Sequence, residues 1–315
     1  MDALSEAIAA IRLGTANAKR VKEHGAWGTR FPAYTGSGFH IVLDGEGWLL
    51  THDSPPRQVR PGDVIVVPTG AEHGLSRSIR PLHELPDAQI GPSDLAPGPA
   101  DFEYLCGGYR LAYGPVHHYF ASLPGVIAIS PDYDHDPQLH ELTGLLATNT
   151  TPAPSAPSTP AQSGASATRS ALFDLLLIHI LRQWQARPSG PGPSPAAPHE
   201  PAPAPEWAHI ADPAIAGVLH AVHADPRRPW TVGELSAYAG ISRTAFTRRF
   251  TAQMGTAPRT YLTSQRLLHG ARLLRATSAP LSMIAHQVGY STEFAFGAAF
   301  RREFGISPGR FRATA

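Results

Sequence analysis

The last third of the chain repeats itself, and a repeat restricts the available folds more than any other feature of these 315 residues. ELSAYAGISRTAFTRRFTAQMGTAP and SMIAHQVGYSTEFAFGAAFRREFGISP align about 50 residues apart, with one extra residue in the second copy. Leu235 stands five residues before Gly240, and Ile284 five before Gly289. Phe246 and Phe250 are four apart, as are Phe296 and Phe300. Gly255 and Gly305 follow five residues later, and Pro258 and Pro308 three after those. Each copy reads as helix, glycine turn, helix. Gly240 and Gly289 can take the positive φ that ends one helix and turns the chain. Ser242 can cap the next helix, its hydroxyl oxygen accepting from first-turn amides.

The paired phenylalanines share one buried helix face, which leaves Arg243, Thr244, Thr247 and Arg248 on the open face. A short rigid helix that presents donors and methyl groups suits base edges in a major groove, the arrangement of a helix-turn-helix. Between the copies, APRTYLTSQRLLHGARLLRAT reads as one long helix. Its ~16 helical residues would span about 24 Å, compatible with two recognition helices near successive major-groove openings.

Charge agrees with this division. From Glu206 onward there are 13 arginines, no lysine and 6 acidic residues, a net of +7, whereas the preceding residues carry a net of −6. Only the C-terminal part is therefore expected to meet a polyanion. A single cysteine, Cys106, excludes an intrachain disulfide and a multi-cysteine zinc site. No apolar run reaches the ~18 residues of a membrane span, and MDALSEAIAAIR has no basic region ahead of an apolar core. The expectation is a cytoplasmic protein with no membrane partner.

Residues 149–168 lack any large apolar side chain, and residues 188–205 hold eight prolines in 18 positions. Both read as extended linkers. Between them Leu172, Leu175, Leu176, Ile180 and Trp184 recur at helical spacing, predicting a helix at about 170–187 that either docks on its own N-terminal domain or joins two copies as a homodimer. Residues 25–131 read as β, with Asp44-Gly45 as a hairpin signal, and form a sandwich or small barrel. A helical pattern follows at about 136–147. PGDVIVVPTGAEHGL sets Gly62, Pro68, Gly70 and His73 at the spacing G-x5-P-x-G-x2-H.

From about 206 to 315 the chain resembles the tandem helix-turn-helix domain of AraC/XylS-type bacterial transcription regulators. WTVGELSAYAGISRTAFTRRF matches the first unit, and IAHQVGYSTEFAFGAAFRREFGISPGRFR the second with its G-x-x-P-x-x-F-R ending. The resemblance implies base contacts from Arg243, Thr244, Thr247 and Arg248 in the first recognition helix and from Glu293, Phe294, Ala295 and Ala298 in the second. Arg301 and Arg302 would meet phosphate. Residues 25–130 resemble a cupin-type sensor domain, with the G-x5-P-x-G-x2-H run as its second motif. The first-motif metal ligands of cupins would fall on Phe31, Ala33 and Gly38, which ligate nothing. His40, His73 and Cys106 remain as a candidate zinc-type set or ligand site. His117, His118 and His135 lack ligand spacing and read as surface residues.

The expected fold is therefore an α+β multidomain chain. Residues 1–148 would form a cupin-like β-barrel sensor domain and 149–205 the linkers flanking one helix. Residues 206–315 would form an all-α domain with two helix-turn-helix units. The function expected from the resemblance is sequence-specific transcription regulation rather than enzymatic activity. The partners would be double-stranded promoter DNA, RNA polymerase and a small-molecule or oxidant effector. The competing reading is a cupin metalloenzyme fused to a DNA-binding module.

Overall fold

The computed structural model describes residues 3–89, 99–131, 133, 137–149, 164–186, 210, 212–225 and 228–314. They divide into two compact units whose segments alternate along the chain. A helical unit takes Met1–Leu13, Leu111–Leu123 and Gln185–Ala315, and a sheet unit takes Gly14–Arg110 and Pro124–Trp184. No described helix is long and apolar enough to cross a membrane.

The strands of the sheet unit are β1 (Thr15–Glu23), β2 (Gly28–Phe31), β3 (Gly36–Gly45), β4 (Gly47–Leu50), β5 (Arg57–Val59), β6 (Val64–Val67), β7 (His73–Ser76), β8 (Phe102–Arg110) and β9 (Ile127–Ile129). They form two antiparallel sheets, ordered β1-β8-β3-β6-β9 and β2-β7-β4-β5. The expected barrel is thus corrected to an open two-sheet arrangement, because each sheet keeps its own edge strands. Alternation along β3 and β8 turns Val42, Phe102 and Tyr104 to one side, where they form a core with Trp27, Phe31, Ile65 and Leu75.

Asp44-Gly45 does not close a hairpin. β3 lies in the five-stranded sheet and β4 in the other, so this turn passes the chain between sheets. Gly45 has φ 79°, and a Cβ there would strike the Asp101 carbonyl oxygen. The second cupin-type run works the same way, carrying the chain from β6 to β7 through Gly70 at φ 69°. β1 begins ten residues before the expected β region; TANAKRVKE has no apolar alternation, as suits an edge strand bearing lysines.

Helices α1 (Ala3–Ile11) and α2 (His118–Ala121) belong to the helical unit. α3 (Pro137–Asn149) and most of α4 (Ala165–Ala186) belong to the sheet unit. α4 buries Leu172, Phe173, Leu176, Leu177, Ile180 and Leu181. Phe173 meets Phe39 edge-on at 5.0 Å and Tyr109 at 5.9 Å, and Tyr109 donates to Asp174 at 2.9 Å. The apolar stripe of this helix therefore docks on the sheet of its own unit, leaving Leu175 exposed.

The helical unit continues with α5 (Pro213–Ala224), α6 (Val232–Tyr238), α7 (Arg243–Met254), α8 (Pro258–Ala276), α9 (Leu281–Gln287), α10 (Glu293–Phe304) and α11 (Pro308–Ala313). Gly240 and Gly289 adopt φ 68° and 81°, as the repeat required. Ser242 caps α7 by accepting from Ala245 N–H, and Thr292 does the same for α10 at Ala295. Phe246, Phe250, Phe296 and Phe300 are fully buried. Phe300 stacks on Phe304 at 4.3 Å and meets Phe311 edge-on at 5.3 Å, at the centre of a core that includes Leu267, Leu268, Leu274 and Ile284. Ala10 belongs to the same core, with Leu13 and Tyr113 packed against it. Two segments read from sequence as parts of the N-terminal domain thus complete the packing of the C-terminal helices.

Candidate nucleic-acid interface and sensor core

The repeat sets two equivalent helices, α7 and α10, each entered by a cap and held by two buried phenylalanines. What remains outward is the candidate interface. Arg243, Thr244 and Arg248 are exposed on α7, with Thr247 half-buried. On α10, Glu293, Phe294, Ala295, Ala298, Arg301 and Arg302 are exposed, Phe294 to 82%. A phenylalanine that open to water contributes little to the fold and offers an apolar contact to a partner. The Thr247 hydroxyl donates to the Arg243 carbonyl at 2.9 Å, so this residue offers its methyl group and an acceptor.

Not every arginine of the +7 segment serves a surface. Arg249 makes a two-pronged ion pair with Asp212, at 2.6 and 2.7 Å, and Asp212 is also the cap of α5. Arg228 stacks on Trp230 at 3.9 Å, Arg266 donates to the Trp230 carbonyl, and Arg312 to the Ala279 carbonyl. Arg275 lies over the Phe311 ring at 5.1 Å. Arg259 and Arg310 were missed in the sequence. Both are exposed, shortly after Pro258 and Pro308. Arg259 opposes the dipole in the first turn of α8, so an outside anion suits it, whereas Arg310 falls in the last turn of the six-residue α11. The division yields a prediction. Arg249→Ala should lower the urea midpoint only slightly, as the loss of a partly exposed two-pronged pair does. It should leave the relative affinity for different DNA sequences unchanged.

In the sheet unit, His40 and His73 meet directly, with Nε2 atoms 2.7 Å apart. His73 Nδ1–H donates to the Ala71 carbonyl at 2.8 Å, which makes His73 Nε2 the acceptor and His40 Nε2–H the donor. His40 Nδ1 is buried with no partner among the described residues. Burial and the facing ring push His40 well below the usual histidine range, and burial lowers His73 to about 4. Both rings are therefore neutral near pH 7. Phe31, at one of the positions where a cupin ligand would stand, covers the pair at 4.4 Å from His40 and 4.9 Å from His73.

Cys106 lies opposite His40 across β3 and β8 and packs against the same core as Phe102 and Tyr104. Yet Cys106 does not close a three-donor set with the two histidines. Burial pushes its thiol up to about 11, which keeps it protonated and slow toward oxidants. The expected zinc-type set is corrected accordingly. The imidazoles bond to each other at 2.7 Å, closer than the ~3.3 Å edge of a tetrahedral zinc shell, and the donors present do not fit a cupin metal. Elsewhere in this unit Trp27, Glu46, Gly47, Trp48, Gln58, Arg77 and Asp101 line an open recess of about 340 Å³.

His117 and His118 are corrected too. His117 is 2% exposed and caps α2 by accepting from Tyr119 N–H; His118 packs its ring 4.7 Å from Tyr261. His135 lies outside the described residues.

Comparison with known proteins divides the chain in two along the sequence, the first match taking in the sheet unit together with α1 and α2 of the helical unit. Residues 2–186 match the family described as Cupin, and residues 235–314 match a helix-turn-helix domain family. An AraC-like transcription regulator of Streptomyces antibioticus is 41% identical over 139 residues, 44% of this chain and 42% of that one, so the chain spans less than half the length of that relative. The HTH-type transcriptional regulator AlkR of Acinetobacter baylyi is 26% identical over 99% of both chains. The RCS-specific HTH-type transcriptional activator RclR of Escherichia coli is 26% identical over 87% of this chain and 83% of that one. Among solved structures, the DNA-binding domain of AdpA in complex with a target DNA is 33% identical over 32% of this chain and 90% of that one, with a TM-score of 0.31. The cupin match takes in more than half of the chain, and the chain belongs to the cupin family, joined in the same polypeptide to an AraC-type helix-turn-helix domain.

Proposed function

We propose that the chain is a sequence-specific DNA-binding transcription regulator whose hold on double-stranded promoter DNA is set by a signal bound in the sheet unit. The observation that carries this reading is the duplicated recognition helix. α7 and α10 share caps, turn glycines and buried phenylalanines, yet their outward faces expose Arg243, Thr244, Arg248, Phe294, Arg301 and Arg302, whose side chains make no hydrogen bond or ion pair among the described residues.

In this reading Arg248 and Arg243 read bases, Thr247 and Phe294 meet thymine methyls, and Glu293 accepts from a cytosine amine. Ala295 and Ala298 let the groove edge approach the helix. Arg301, Arg302, Arg259 and Arg310 hold phosphates. The effector is a small molecule bound in the sheet unit. The protein works in the cytoplasm, with RNA polymerase and a second copy of the chain as candidate partners. A signal with different affinity for two arrangements of the protein shifts their populations and so changes promoter occupancy. The reading is favoured over a cupin metalloenzyme because Phe31, Ala33 and Gly38 hold the first-motif ligand positions and His40 and His73 bond to each other.

The test is selection of duplexes from a random pool by the full chain, followed by titration of the selected site in rising salt. A regulator enriches one motif and binds it at least about a thousandfold more tightly than random DNA. Equal binding to all sequences would leave only an architectural role. Arg248→Ala should cost about 1–3 kcal/mol on the selected site and relax preference at one base pair. An equal loss on random DNA would make Arg248 a phosphate contact.

A further inference from the structure

Within the helical unit, Glu6, His117 and His223 each turn a donor atom to one point, and the three donors lie within 4.8 Å of one another. They come from distant parts of the chain. Glu6 is on α1, His117 caps α2, and His223 is in the last turn of α5. All three are buried, at 1%, 2% and 0% exposure. His223 Nδ1 donates to Glu6 Oε2 at 2.8 Å, and its Nε2 meets the Tyr261 hydroxyl at 2.5 Å. His117 Nε2 meets Gln265 Oε1 at 3.3 Å. The other carboxylate oxygen, Glu6 Oε1, is buried with no hydrogen-bond partner.

We propose that Glu6, His117 and His223 form a metal site for a zinc-class dication, fastening α1 and α2 to the helices of the DNA-binding part. Two imidazoles and one carboxylate are a ligand set that zinc takes, and a fourth position remains for water. Tyr261, on α8, stands where a ring-orienting partner stands in metal sites, holding His223 Nε2 while Nδ1 faces Glu6, and His117 would ligate through Nε2 by giving up its contact with Gln265. A buried carboxylate with one oxygen unpaired is costly, and a cation beside it removes that cost. Arg272, half-buried and attracted by the same carboxylate, opposes an incoming dication. Cys106 is not part of the site, so the bound ion carries no thiolate.

The experiment uses the full chain, stripped by chelator and titrated with Zn²⁺ and with Co²⁺ as a visible probe. The expected result is one saturable equivalent, a cobalt spectrum with ligand-field bands but no thiolate charge-transfer band, and a zinc-dependent rise in melting temperature. Glu6→Gln and His117→Ala should each weaken binding at least about tenfold and abolish the zinc-dependent rise. His40→Ala should bind as the wild type does. Circular dichroism checks that the variants fold. If one does not, hydrogen exchange of the wild-type chain replaces it, with zinc expected to slow exchange in residues 4–11 and 117–121. The proposal is overturned if no equivalent binds, if a thiolate band appears, if both variants bind as tightly as the wild type, or if zinc leaves exchange in those segments unchanged.

Discussion

Phe300→Ala should remove about 3–5 kcal/mol from the helical unit, the cost of emptying a fully packed aromatic site. Phe300 is completely buried, with rings of Phe296, Phe304 and Phe311 at 4.3–5.4 Å, so no neighbour can fill the space without abandoning another contact. The melting temperature read by circular dichroism at 222 nm should fall by roughly 10 °C. Phe294→Ala, six residues away on α10 but 82% exposed, should leave the melting temperature within about 2 °C and alter DNA affinity instead. A comparable loss of stability in both variants would mean that α10 does not divide into a buried and a presented face.

The second large effect is acid sensitivity of the sheet unit. His73 is held at about 4 by burial, against 6.5 in an unfolded chain, and His40 is also lowered. The unfolded chain therefore binds more protons than the folded one below pH 6.5, and stability falls as pH drops from there toward 4. Glu72 pulls His73 the other way and is outweighed by burial. By pH 5, His73 alone should cost about 2 kcal/mol. The measurement is the urea midpoint at pH 7 and pH 5, followed by Trp fluorescence; Trp27 lies in the same core. His73→Gln should flatten the pH dependence. A midpoint that does not move in the wild type would show that the pair is protonated without strain.

The repeat was legible because everything it needs is local. Gly240 and Gly289, Ser242, and the phenylalanines four residues apart each act within a turn or two of helix. They appear in the structure where the spacing put them. What could not be read depends on partners far along the chain. Asp44-Gly45 looks the same whether the next strand pairs with β3 or crosses to another sheet, so an open pair of sheets read as a barrel. His117 has no ligand spacing because its companions, Glu6 and His223, stand more than a hundred residues away on either side. Asp212 and Arg249 are 37 residues apart, and nothing near either marks that arginine as internal.

The interleaving of the two units bears on how the protein is made. Glu6 and His223 are 217 positions apart, and Ala10 packs with Phe311 in one core. A ribosome releases the first helix long before its binding surface exists, so α1 must wait until nearly the whole polypeptide has emerged. Contacts this distant in sequence slow folding, since a very long loop has to close before they form. The sheet unit lacks that constraint, for its last residue is Trp184. Synthesis should therefore yield a finished sheet unit first, with an apolar helix at its front end still unpaired, and that interval is when the nascent chain would most need a chaperone.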